Sequence, residues 1–408
     1  MGIVRRLACP RCAGPGDLSG PPVVCDRCGC VMEIEMDLGH VASGLAEEIR
    51  RRPRGLWRWG EFLPVESPAA VLTLGEGDTP LVRSGRLSRQ VGIERLYVKN
   101  DTVLPTGSLK DRSVTVAVSR AREVKADTVA VSSTGNHAAS VAAYAAAAGL
   151  GCVVMVPAAT SPSKIVQARI HGATVIAVEA AFDATAALFR EALRTFGWYS
   201  CLSSNPWRNE GKKSYAFEIW EQLEGEVPDW MIHPIAGGLG VSACWKGWRE
   251  LHELGWTARI PRMAAAQSAA AAPIVSAWEK GQREVEPVEV GKTIAESITA
   301  GAPALGWRCL SAIAETGGAA ASATDEEILA ARSLLARTTG VFCEPSAAAS
   351  LAVAMTLRAR GIIKPTDLVV CVATGHGLKQ PEAPMAQAGP LHTVAPTLTA
   401  VDNALTRS

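Results

Sequence analysis

From residue 96 onward, short apolar runs rich in β-branched residues alternate with longer Ala-rich stretches. RLYVK, TVAVSS, CVVMVP, TVIAVE, WMIHPIA, RMAAAQ and LVVCVAT are apolar at nearly every position, not at every second one. That is the pattern of strands buried on both faces. Between them GNHAASVAAYAAAAG, AFDATAALFREALRTF and DEEILAARSLLARTT have the length and composition of helices. Repeated alternation predicts an α/β fold with parallel-rich sheets covered by helices on both faces. Ligands in such folds sit beyond the carboxyl ends of the strands, where loops enter helices.

Several loops have chemistry suited to that position. TVAVSS runs into Ser133-Thr134-Gly135-Asn136 and an Ala-rich helix, so hydroxyls and free amides could receive a carboxylate or phosphate. An ordinary helix cap is the competing account. WMIHPIA runs into Gly237-Gly238-Leu239-Gly240 and another helix, a second anion cradle. It lacks the Lys-Ser/Thr of a nucleotide P-loop, so a single phosphate suits it better than a nucleotide. LVVCVAT ends at Thr374-Gly375-His376-Gly377, where His376 could be an acid or base or could complete the loop. Lys110 lies in PTGSLKDRS among small residues before an apolar helix. Desolvation there would lower its pKa and free the amine for a carbonyl; a surface lysine paired with Asp111 is the alternative.

The amino terminus differs in kind. Cys9-Pro-Arg-Cys12 and Cys25-Asp-Arg-Cys28 form two knuckles around a Gly- and Pro-rich spacer expected to turn about a short hairpin. Four thiolates so spaced suit a closed structural zinc site, with Cys30 as a spare thiol. The remaining cysteines are scattered through apolar runs, as in a reduced, cytoplasmic protein. Residues 36–75 carry IRRRPRGLWRWGEFLP, expected to be a linker of helix and loop with Trp57 and Trp59 packed on the body rather than an RNA-binding arm. With 41 basic against 40 acidic residues the net charge is +1, so neither nucleic acid nor membrane is an expected partner. No run is long and apolar enough to span a bilayer.

Taken in order, LGEGDTPL, PTGSLKDR, SSTGNHAAS, NPWRNEGKKSYAFEI, the GGLG loop, EPSAAAS and VATGHGLK resemble the fold-type-II (tryptophan synthase β-like) pyridoxal-phosphate enzymes, and the threonine synthases among them. The resemblance spans residues 73 to 382. It implies a zinc-ribbon-like module (1–35), a linker (36–75), a catalytic core of two α/β domains (76–382, the smaller about 105–205) and a tail (383–408). It also implies a homodimer. Lys110 would carry pyridoxal 5'-phosphate and move protons. Asn136 would bond its phenolic oxygen, Gly237, Gly238, Leu239 and Gly240 its phosphate, and Thr374 its ring nitrogen. Ser133 and Thr134 would bind the substrate carboxylate.

NPWRNEGKKS bears on the reaction. Threonine synthases read close to NPxRxEGQKT there, and the resemblance makes Arg208 a holder of the phosphate of O-phosphohomoserine, suited to its planar guanidinium. An ion pair with Glu210 is the structural alternative for Arg208. Leu109, His137, the GGLG loop, Asn209, Lys212 and Ser214 depart from the threonine synthase pattern. These departures would also fit a relative acting on another phosphorylated or hydroxy amino acid, as cysteate synthases or serine/threonine dehydratases do. The intact Lys110, Asn136, Gly loop and Thr374 speak against a non-catalytic binding protein. Trp207, next to Arg208, is expected to shape the pocket, and the other tryptophans to lie in the core or an interface.

Overall fold

The structure is a computed structural model and describes the chain except residues 19–23, 40, 42–43, 381, 383–387, 390 and 407–408. Strands β1 (Val4–Ala8) and β2 (Glu33–Met36) pair antiparallel in a small amino-terminal ribbon. The larger sheet holds β3 (Leu81–Arg83), β4 (Arg95–Asn100), β9 (Trp230–Pro234), β10 (Arg262–Ser268), β11 (Ala319–Ala323) and β12 (Leu368–Ala373) in the order β11-β10-β9-β12-β4-β3. Between β4 and β9 in sequence, β5 (Thr128–Ser132), β6 (Gly151–Pro157), β7 (Thr174–Val178) and β8 (Tyr199–Ser200) form a second sheet, ordered β7-β6-β5-β8. In these two sheets every pairing is parallel except the edge pair β3–β4.

All seven runs with strand-like patterning are strands, and their uniform apolarity has a direct cause. In the larger sheet Met231, Met263, Ala265, Val370 and Val372 face one core, whereas Ile232, Ala264, Ala266, Val369 and Cys371 face another. Successive side chains point to opposite faces, and helices cover both. The first core includes Trp59, Phe62, Phe217, Trp245 and Trp248. The Phe62 and Phe217 rings lie 4.6 Å apart, and ring pairs of this kind contribute about 0.5–1.5 kcal/mol beyond the area they bury. Trp57 donates its indole N–H to Thr115 Oγ1 at 2.8 Å. The Arg-rich linker is therefore sewn into the body.

Trp207 departs from expectation. Its ring lies in the cluster with Leu7, Cys9, Leu63 and Val116 under the ribbon, and its N–H donates to the Pro64 carbonyl at 3.0 Å. It packs away from the pocket it was expected to shape. The hairpin expected in the ribbon spacer falls partly on residues outside those described, although bridges Ala8↔Pro15 and Val24↔Val31 flank it. In the tail, Leu398–Thr406 is helical.

Helix Trp207–Lys212 lies directly against helix Lys110–Glu123. Gly211 makes this possible: a Cβ there would come 1.8 Å from the Arg112 carbonyl oxygen. The close approach fixes Arg208 and Lys212 relative to Lys110.

Candidate functional site

Lys110 opens its helix at the end of a loop held by β12. The Leu109 amide donates to the Thr374 carbonyl at 2.8 Å and the His376 amide to the Gly107 carbonyl at 2.9 Å, with a bridge between Ser108 and Gly375. Gly107 has φ of 77°, a left-handed turn that glycine adopts without strain. The lysine's position thus depends on a strand end far along the chain. Asp111 does not pair with it. Its carboxylate accepts from the Thr106 amide at 2.7 Å and from the Thr106 and Ser140 hydroxyls, each at 2.6 Å. Burial nevertheless pushes the Asp111 carboxyl up to about 6.

Lys110 has no hydrogen-bond or ion-pair partner for its amine among the described residues. Burial, aided by the positive charge of Arg208 and opposed by Glu344, lowers its pKa to about 8. An amine of this kind is partly neutral near pH 7 and able to act as nucleophile or base.

Asn136 begins helix Asn136–Ala148 and donates through its amide nitrogen to Glu344 Oε2 at 3.0 Å. Glu344 was not evident as a site residue from sequence. It precedes Pro345 at the head of a largely buried helix, Pro345–Ala359, and is itself buried. Its Oε1 has no hydrogen-bond partner among the described residues, and burial raises its pKa. Gly375 lies flat against it, since a Cβ there would come 2.6 Å from Oε1.

Ser133 and Thr134 lie half-buried before Asn136, where Ser133 Oγ accepts from the Gly135 amide at 3.5 Å. At Gly135 and at Gly237 an added Cβ would meet open space. Gly238, Leu239 and Gly240 lead into helix Leu239–Glu253, whose first amides lack intrahelical partners. Gly238 has φ of 90°, and a Cβ on Gly240 would come 2.3 Å from the His233 ring. His376 completes its loop, with Nδ1 accepting from the Leu378 amide at 3.1 Å.

Arg208 is 3% exposed and does not pair with Glu210, which instead binds Lys213 at 2.6 Å and Lys246 at 2.5 Å. Its Nη2 lies 3.5 Å from Nδ1 of His137, whose Nε2 faces the Cys201 carbonyl at 2.6 Å. Donation to that carbonyl leaves Nδ1 as the acceptor. Burial and the Arg208 charge hold His137 well below the ordinary histidine range, so it stays neutral and leaves the guanidinium charge uncompensated.

A buried ionic network behind the lysine was hidden in the sequence. Arg112, fully buried, meets Asp101 at 2.7 and 2.9 Å, Glu218 at 2.8 Å and Thr79 at 2.9 Å. Lys99 joins Glu218 at 2.7 Å.

In the ribbon the Sγ atoms of Cys9, Cys12, Cys25 and Cys28 all lie within 4.8 Å of one another, with Cys9–Cys28 at 3.4 Å and Cys12–Cys25 at 3.5 Å. A tetrahedral metal with bonds of about 2.3 Å has sulfur–sulfur edges of about 3.8 Å. Cys30 is buried outside the quartet and its thiol is pushed up to about 11. A cavity of about 220 Å³ lies at the seam between ribbon and body, lined by Arg11, Cys28, Cys30, Glu284 and Trp307. None of the residues around Lys110 reaches it. No helix among the described residues is long and apolar enough to cross a membrane.

The pyridoxal-phosphate dependent enzyme family pattern matches residues 72–375. The threonine synthase of Methanocaldococcus jannaschii is 40% identical over 377 residues, covering 92% of this chain and 93% of its own. That of Methanosarcina acetivorans is 39% identical over 377 residues, covering 92% of each. Maize serine racemase superposes with a TM-score of 0.66 at 20% identity, over 76% of this chain and 92% of its own. The processed form of tomato (Solanum lycopersicum) threonine deaminase isoform 2 gives 0.65 at 20% identity, over 76% and 83%. At that identity the structures show a shared fold.

Proposed function

Since the chain belongs to the pyridoxal-phosphate-dependent enzyme family and threonine synthases match nearly its whole length, we propose that it converts O-phospho-L-homoserine and water to L-threonine and phosphate. The observation that carries the substrate is Arg208, a buried cation that has no carboxylate partner among the described residues and whose charge acts on Lys110. A substrate with a neutral hydroxyl would leave that charge uncompensated, whereas a phosphate matches it.

The residues present fit the cofactor. The Gly237–Gly240 turn is closed to side chains at Gly238 and Gly240 but open at Gly237, so backbone amides can reach a phosphate there. Asn136 has a second amide N–H to offer beside the one given to Glu344. Thr374, buried at the end of β12, is the residue we assign to the ring nitrogen. When bound, the cofactor supplies the electron sink that makes the substrate's α-proton removable. Lys110 would hold it, and its partly neutral amine would take that proton. Ser133 and Thr134 bind the substrate carboxylate, and Arg208 holds the phosphate before and after it leaves. We read Cys9, Cys12, Cys25 and Cys28 as a structural zinc site, and the protein as a cytoplasmic homodimer.

The test is to incubate the cofactor-loaded protein with O-phospho-L-homoserine and follow threonine and phosphate together. Matched release is expected, abolished in Lys110→Ala. In Arg208→Met KM should rise about tenfold or more, the scale of a hydrogen bond to a charged group. An intact visible cofactor band with neither product would overturn the substrate assignment.

A further inference from the structure

Buried cations in this protein have carboxylate partners as a rule. Lys99 meets Glu218 at 2.7 Å, Arg112 meets Asp101 at 2.7 Å, and Arg58 meets Glu221 at 2.9 Å. Lys213 meets Glu210 at 2.6 Å and Glu250 at 2.8 Å. Lys212, its neighbour in sequence, breaks the rule. It is 4% exposed, yet its ammonium makes no hydrogen bond or ion pair among the described residues. One helical turn earlier, Arg208 has the neutral His137 as its hydrogen-bond partner among the described residues, and its Nε has none there. Positions i and i+4 share a helix face, so the two cations are presented together. That face lies against the helix headed by Lys110, locked there by Gly211. Each charge is also unfavourable for the next: burial, then Lys110 and Arg208, push Lys212 well below the ordinary lysine range. A buried cluster of like charges without a counter-ion is unfavourable unless an anion enters.

We propose that Lys212 and Arg208 together form a two-cation cradle for a phosphate monoester dianion beside Lys110. The inference rests on the proposed function for its location, and it extends it. A neutral glutamine at this position would offer only a dipole. Lys212 offers a full charge and up to three donors, and it takes up a proton as the dianion binds. The phosphate could be that of the substrate or that of the cofactor, and the two sources separate experimentally.

Lys212→Gln, Lys212→Met and Lys212→Arg are compared in two titrations. Calorimetry of the holoenzyme with inorganic phosphate reads the substrate's phosphate site. Tryptophan quenching of the apoenzyme with pyridoxal 5'-phosphate, against pyridoxal, reads the cofactor's. A tenfold or greater weakening in Gln and Met, restored by Arg, is expected in one titration, and which one identifies the source. Because Lys212 is unpaired, Lys212→Met should melt no lower than wild type without phosphate, and it should lose the phosphate-dependent rise in melting temperature. Constants within threefold of wild type in both titrations would overturn the proposal. So would a Lys212→Met protein that unfolds, since that would reveal a partner within the chain. Neither titration requires turnover, so failure to make threonine would refute the substrate assignment while leaving the cradle standing.

Discussion

The lowered pKa of Lys110 has a quantitative consequence for cofactor uptake. At pH 7 an amine with a pKa of about 8 is about 9% neutral, whereas an ordinary lysine is about 0.03% neutral, a ratio of about 300. Only the neutral amine attacks the aldehyde. The second-order rate of cofactor attachment to the apoenzyme, followed by growth of the visible band, should rise about tenfold per pH unit below pH 8 and then level off. The two charged neighbours act in opposite directions. Arg208→Met removes a positive charge, so the midpoint should move up; Glu344→Gln removes a negative one, so it should move down. Burial, the largest cause, remains in both variants. Linkage gives a second readout. Between about pH 8 and the ordinary lysine value the unfolded chain still holds a proton that the folded chain has lost, so apoprotein stability should rise with pH there. A wild-type midpoint near 10, or shifts of the same sign in the two variants, would refute the reasoning.

Three further outcomes follow from the geometry. Gly240→Ala should weaken cofactor binding at least about tenfold without unfolding the chain, because the methyl would meet the His233 ring at 2.3 Å; unchanged affinity by quenching would contradict this. Arg112→Met leaves Asp101 and Glu218 buried with fewer partners, and should destabilise by about 3–5 kcal/mol in thermal or urea melts. Elemental analysis should find one zinc per chain, and Cys25→Ser should remove it and lower the melting temperature; a metal-free wild type with the same melting curve would rule the site out.

How far the sequence reached depended on whether a feature was local. The seven strands were legible because burial on both faces demands continuous apolar runs, and so was the placement of Lys110, Asn136, the Gly loop and Thr374 at strand ends or helix heads. Strand β11, AAASA, was not: its small residues carry no β-branched signal, and its identity comes from pairing with β10 and from the helices around it. Glu344 reads as an ordinary residue before a proline until the helix behind it is seen to be buried. The pairing of Arg112 with Glu218 spans a separation that periodicity cannot register. Lys212 was visible as a substitution, but its lack of a partner is a property of the folded surroundings alone. Trp207 shows the converse, since adjacency to Arg208 in sequence placed it near a pocket from which the helix turns it away.

Strand order also constrains how the molecule is made. The sheet β5–β8 is contiguous in sequence, so it can close while the chain is still being synthesised. The larger sheet cannot, because its central strand β12, between β9 and β4, is the last to be translated. The loop that presents Lys110 is bonded to residues just after that strand, made about 15–50 s later at 5–20 residues per second. A nascent chain therefore displays its lysine on an unheld loop until β12 has been made. It acquires a seat for the cofactor only then, so truncation at the carboxyl end of β12 should leave a chain unable to retain cofactor.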